Sequence, residues 1–239
     1  MRKNRVKIYQ SRVHLFATLL FIIAPFVFLL LFSRISHIAT ARLFQDTIIS
    51  LARLCVAYII AVALAWIFAI SFYRGKRSAI ALPIFDVLQS FPNFAAVPLA
   101  AILFGQTNFV IIFFLVITII WPIFFSIISS LKLMKHDWEE AIEISGLKGK
   151  DYVRYFLWPV SVPGLITGSI IGLGDGWGAL VGTEIIVGTN QGLGEFFRSF
   201  SNNPTTTLFG ILGVLIIVFS INKLVWSPLL DWSHHVMEE

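Results

Sequence analysis

Charge and cysteine are what this chain has least of. Only 13% of its 239 residues are Asp, Glu, Lys or Arg, and its single cysteine is Cys55. One cysteine excludes an intrachain disulfide. Soluble domains carry about 25% charged residues, so an ordinary water-facing globular fold is excluded as well. No glycine-rich turn ends in Gly-Lys-Ser/Thr, the arrangement whose backbone amides cradle a nucleotide's phosphates; the nearest imitation, Gly149-Lys150-Asp151, has the wrong last residue. No Ser/His/Asp or Cys/His pattern supplies a nucleophile and base, and His14, His37 and His136 fall at span edges or in loops. The net charge of +5 comes from residues scattered between apolar runs, which excludes the basic tract of a nucleic-acid binder. His234, His235, Glu238 and Glu239 carry metal-ligand chemistry, but they stand in a polar terminal tail and predict no metal site.

What fills the space is apolar: 57% of residues are hydrophobic and the mean hydropathy is +0.85. About 20 apolar residues cross a bilayer as a helix. Six spans are predicted on that rule, near residues 15–32, 48–72, 80–104, 109–131, 162–187 and 208–226. The expected fold is all-α, a single membrane domain over residues 1–239. The basic start MRKNRVK imitates a secretory leader, but no small-residue cleavage site ends the run that follows, so a retained first span is expected. Pro83, Pro92 and Pro98 split the third span, with the break at Ser90-Phe91-Pro92-Asn93.

Positive charge sets the orientation. With both termini in the cytoplasm, the inner segments hold Arg2, Lys3, Arg5, Lys7, Arg12, Arg74, Lys76, Arg77, Lys132, Lys135, Lys148, Lys150, Arg154 and Lys223, and the outer ones only Arg34, Arg42 and Arg198. Arg53 lies inside the second span, where it snorkels outward or pairs with a carboxylate.

The fifth span is rich in glycine. Gly164, Gly168 and Gly172 recur every four residues and bare one helix face for close packing. The run Gly172-Leu-Gly174-Asp175-Gly176-Trp177-Gly178 imitates a dinucleotide fingerprint, yet it lacks the preceding strand that motif requires. Beyond Gly172 the glycines are dense enough to predict irregular backbone, tolerated at membrane depth only where protein buries it or water reaches it, so the pathway is placed here. Asp175 and Glu184 are its ionisable candidates, each with a structural alternative: Asp175 paired with Arg53, Glu184 solvated at the outer surface. Asn93 and Gln89 are further polar candidates, or interhelical glue. A gradient-driven transporter or channel would use Asp175, Glu184 and Arg53 as an ion relay; an intramembrane enzyme would need a convergent nucleophile and base, which the sequence does not offer.

Between the fourth and fifth spans lies a polar island, residues 137–159, with Asp137, Glu139, Glu140 and Glu143 ahead of Gly146 and Lys148, Lys150 and Arg154 after it. Glu140-Ala141, then Gly146, then Phe156, Trp158 and Pro159 resemble the cytoplasmic coupling loop of binding-protein-dependent ABC importer permeases: Glu-Ala-Ala, three residues, Gly, nine residues, Ile, any residue, Leu-Pro. Ile142, Phe156 and Trp158 depart from that pattern with apolar side chains. Ser50-Leu51-x-Arg53, Phe91-Pro92, Pro98-Leu99, Gly105, Trp177, Glu184 and Gly192-Leu193-Gly194 extend the resemblance to the nitrate/sulfonate/taurine branch; Asp175 departs from it.

The resemblance implies a type I importer permease fold with a coupling loop near residues 132–159. It also implies a bacterial or archaeal cytoplasmic membrane, two cytoplasmic ATPases holding ATP and magnesium, an extracytoplasmic substrate-binding protein, and a second permease subunit, by family expectation an identical one. The chain itself would hold no cofactor. The implied substrate is a small anion such as nitrate, a sulfonate, taurine or bicarbonate, with thiamine or riboflavin precursors carried by similar systems. Trp177 joins Asp175, Glu184 and Asn93 as a candidate pathway residue.

Overall fold

The computed structural model describes residues 2–36, 38–133 and 144–230, with side chains from residue 18 onward. Every element in them is helical: α1 (Arg2–Ser36), α2 (Thr40–Phe72), α3 (Gly75–Gln89), α4 (Asn93–Phe104), α5 (Asn108–Lys132), α6 (Gly149–Val187), α7 (Leu193–Ser199) and α8 (Pro204–Leu230). α5 is crowded with Val, Ile and Phe, residues that suit strands in water. In hydrocarbon each backbone amide must be bonded within its own segment, so the helix prevails.

Five of these helices are long and apolar enough to cross a membrane. α3 and α4, bent by 78° at the break between them, make a sixth span if counted together. The break falls where Ser90, Phe91 and Pro92 were expected to place it. The predicted loop after the first span is shorter than expected, because α2 already starts at Thr40. Its polar residues Asp46, Ser50 and Arg53 are buried rather than solvated, so polarity does not end the helix.

The centre of the molecule is a slab of three helices, α2, α5 and α6, in which α5 is packed on both sides. Within a bilayer, helices associate through close packing rather than water exclusion, so small residues mark the seams. Ala57, Ala61, Ala65 and Ala69 make such a seam along α2, all fully buried. Gly164, Gly168, Gly172 and Gly176 make the other. A Cβ on Gly168 would stand 2.6 Å from the Ile123 Cα, and one on Gly172 would stand 3.0 Å from the Ile119 carbonyl.

One expectation is overturned here. α6 runs as one helix through Gly172, Gly174, Gly176 and Gly178 and ends only at Gly188, left-handed at φ 70°. Glycine's entropic cost in a helix is roughly 1 kcal/mol. That is less than the several kcal/mol of an unsatisfied backbone group in lipid.

Two stretches widen to π-helix, Val153–Leu157 in α6 and Asn222–Trp226 in α8. Each precedes a proline, Pro159 or Pro228, whose missing N–H leaves the ordinary ladder one donor short. α1 and α8 flank the slab through a phenylalanine cluster that includes Phe32 and Phe196, ring centroids 5.8 Å apart. The outward side chains of α1, among them Leu19, Leu20, Ile23 and Phe26, are exposed, as a lipid-facing surface requires.

Candidate translocation cleft and polar clamp

On an α-helix each residue advances about 100°, so positions seven apart nearly superpose and positions nine apart oppose. In α6 this sorts the three candidates. Trp177 and Glu184 share the buried face, with 6% and 1% of their surfaces exposed, and Asp175 faces the other way.

Glu184 sits in a polar clamp between α2, α6 and the turn into α7. Ser50 Oγ donates to its two carboxylate oxygens at 2.8 and 2.9 Å, Arg53 Nη1 at 2.5 Å and the Gly194 amide at 2.8 Å. Arg53 also donates to the Asn108 side chain (2.9 Å), the Gln191 carbonyl (3.1 Å) and Thr189 Oγ1 (3.2 Å). The Gly192 amide donates to Asp46 Oδ1, and the Leu193 amide to Ser50 Oγ. Gly192 has φ 101°, and a Cβ on it would lie 2.7 Å from both Arg53 Nη1 and Glu184 Oε1; one on Gly194 would collide with the Glu184 side chain. The Gly-Leu-Gly sequence is the shape of this clamp. Sequence reasoning offered Arg53 a carboxylate but named Asp175; the partner is Glu184. Asp46 was missed, although Asp46, Ser50 and Arg53, spaced four and three apart, spell one polar helix face.

Asp175 instead lines an open cleft of about 680 Å³ beside the bend between α3 and α4. Gly174 and Gly178 flank it on α6, Thr118 and Trp121 face it from α5, and Gln89 and Asn93 reach it from the two sides of the bend. The Asn93 amide contacts Thr118 Oγ1 at 3.5 Å, while the buried atoms Asn93 Oδ1 and Trp121 Nε1 have no hydrogen-bond partner among the described residues. Gln89 donates to Asp86 at 2.6 Å. Asp175 forms no ion pair among the described residues. The candidates Asp175 and Asn93 therefore meet on one cleft, and Trp177 and Glu184 do not line it. Asp175 and Glu184 stand roughly 13 Å apart along α6, at 1.5 Å per residue, on opposite faces. They form no common relay.

At the other end of α6, Glu140, Ala141 and Ile142 lie outside the described residues. Gly146 is left-handed, φ 69°, directly after helical Ile144 and Ser145, the conformation glycine supplies at a helix C-terminus. Phe156 is buried and stacks near Tyr152. The Tyr152 hydroxyl bonds Tyr73 at 2.9 Å. Trp158 stands edge-on to Trp66 at 5.3 Å, and Trp66 Nε1 donates to Ser161 Oγ at 3.0 Å. Pro159 follows on the exposed side. From Gly149 the described end of the loop continues through the π-helical stretch into the helix that bears both clamp and cleft.

Residues 61–226 match the family model described as binding-protein-dependent transport system inner membrane component. The chain is similar to the nitrate import permease NrtB of Synechococcus elongatus, 27% identical over 187 residues, 74% of this chain and 66% of that one. It is also similar to the bicarbonate transport system permease CmpB of the same organism, 27% identical over 177 residues, 73% and 63% of the two chains. The taurine transport system permease TauC of Escherichia coli K12 is 30% identical over 141 residues, 57% and 50%. The matched region spans between half and two thirds of these relatives' own length. With a family match over most of its residues, this multi-pass chain belongs to the binding-protein-dependent inner-membrane transport components.

Proposed function

We propose that the chain is the membrane-spanning permease subunit of an ATP-driven importer fed by a separate substrate-binding protein. The observation that carries this reading is the continuity of α6. Gly146 and the segment to Pro159, which match the coupling motif, feed directly into the helix that holds the Glu184 clamp at its outer end and Asp175 midway. A displacement at the loop is delivered along a rigid element to both, the kind of rigid-body step that switches a two-state transporter.

Partners follow from what the chain lacks. With no phosphate-binding loop in its sequence, it relies on two cytoplasmic ATPases carrying ATP and magnesium, docked on residues 132–159. A second permease subunit, an identical copy, faces the open side of the cleft, and both termini lie in the cytoplasm. The relatives' names, nitrate, bicarbonate and taurine, support a small solute of anionic character.

Copurification tests the reading. The tagged chain is expected to retain an ATPase subunit. Gly146→Asp or Glu140→Lys is expected to release that ATPase and abolish uptake while the chain stays in the membrane. Uptake that persists without any ATPase, indifferent to both substitutions, refutes it.

A further inference from the structure

The cleft carries one sign of charge. Asp175 lies midway through the predicted 162–187 span and, among the described residues, no cation lines the cleft with it. Asp86 stands one turn before Gln89 on the same exposed stretch of α3 and is tied to it by a hydrogen bond. The membrane-embedded cation Arg53 is engaged elsewhere, with Glu184, Asn108, Gln191 and Thr189. A bilayer tolerates an ionisable side chain only where it faces partners or a water-filled path. Having no partner among the described residues, Asp175 faces the path.

The geometry points to a cleft that accepts a solute bearing a cationic nitrogen, an organic cation or a zwitterion, rather than a simple inorganic anion. A carboxylate suits such a group, offering charge and hydrogen-bond acceptance. Nitrate and bicarbonate bring only further negative charge to Asp175. An amino-sulfonate keeps the anionic end that the relatives suggest and adds the cation that the cleft requires. This inference rests on the importer reading for its claim that the cleft is the solute's route.

The test reads the cleft's charge with thiol reagents of matched size. In the full chain within its assembled transporter, Cys55→Ala removes the native thiol and Gly178→Cys supplies a reporter, since a Cβ there meets nothing within 4 Å. Gly174, equally open, gives a second reporter, Gly174→Cys. Rates are measured with a cationic trimethylammonium-ethyl and an anionic sulfonato-ethyl methanethiosulfonate in membrane vesicles, each normalised to its rate on a free small thiol. A cleft of one sign concentrates counter-ions by tenfold or more, so the cationic reagent is expected to lead by about that factor. Asp175→Asn is expected to bring the ratio to within about twofold of unity. Equal rates, an anionic lead, a ratio unmoved by Asp175→Asn, or no reaction at either reporter overturns the inference. ATP hydrolysis is followed on the same preparations. A wrong ratio with ATP coupling intact sinks the cleft assignment alone, and absent coupling sinks the importer reading. Mass spectrometry of the solute retained by the copurified binding protein adds a second reading, and a solute with no cationic nitrogen contradicts the assignment.

Discussion

Glu184→Gln removes one charge from the clamp between α2, α6 and α7 and almost no volume. Arg53 is then left 5% exposed, with its guanidinium still aimed at a side chain that no longer balances it. Breaking a buried ion pair by neutralising one member costs about 3–5 kcal/mol, because the other charge stays buried without compensation. In a chain of this length each kcal/mol lowers the thermal midpoint by roughly 2–4 °C, so a drop of about 6 °C at the least is expected. Arg42→Gln is the control: the Arg42–Asp46 pair is long, 3.8 Å, and its arginine is half exposed, so its loss is worth about 0–1 kcal/mol. The assay is the fraction of detergent-solubilised complex remaining monodisperse after heating, followed by fluorescence-detected size exclusion. Arg53→Gln combined with Glu184→Gln is expected to fall well short of the sum of the single losses, because the double variant buries no uncompensated charge. A Glu184→Gln midpoint within about 2 °C of the unaltered protein, equivalent to about 1 kcal/mol, refutes the view that this pair holds that end of α6 together.

Gly192→Ala, which puts a Cβ 2.7 Å from Arg53 Nη1 at φ 101°, is expected to destabilise the same region by about 1–3 kcal/mol from backbone strain alone, read by the same heating assay. Gly168→Val drives a side chain into the α5 backbone near Ile123 and is expected to abolish monodisperse protein, whereas Gly174→Ala, with open space around it, is expected to leave yield and midpoint unchanged or slightly raised. Gly146→Ala asks a β-carbon to occupy a left-handed position, φ 69°, at a cost of roughly 1–2 kcal/mol. ATP hydrolysis stimulated by the binding protein is expected to fall, with the midpoint of the membrane-embedded part unaltered. Trp158→Ala removes the edge-on contact with Trp66, worth about 0.5–1.5 kcal/mol beyond its area, and is expected to weaken coupling without changing the Arg53–Glu184 clamp.

The number of spans and the broken third one were legible because apolar length and proline are local signals. Pro92 announces a break at Ser90–Asn93, but not its 78° bend, which depends on what α4 packs against. The glycines of α6 were legible as a packing face and misleading as a break. Gly164, Gly168, Gly172 and Gly176 press on α5, and lipid gives the backbone nothing to bond outside the helix. Arg53 was recognisable as a buried cation needing a carboxylate, yet its partner lies 131 residues away, and no local spacing connects them. The facing of Asp175 against Trp177 and Glu184 was written in the 100° step all along. Assigning one face to lipid, core or cleft required α5 and the bend to be in place.

The most direct measurement of the whole scheme is uptake into sealed proteoliposomes of the purified complex, using the solute retained by its binding protein. ATP supplied on the ATPase side is expected to drive accumulation, and Gly146→Asp is expected to abolish it while a proton or sodium gradient imposed without ATP drives none. Accumulation on a gradient alone, undiminished by Gly146→Asp, contradicts an ATP-coupled permease and returns Asp175 to the role of an ion site.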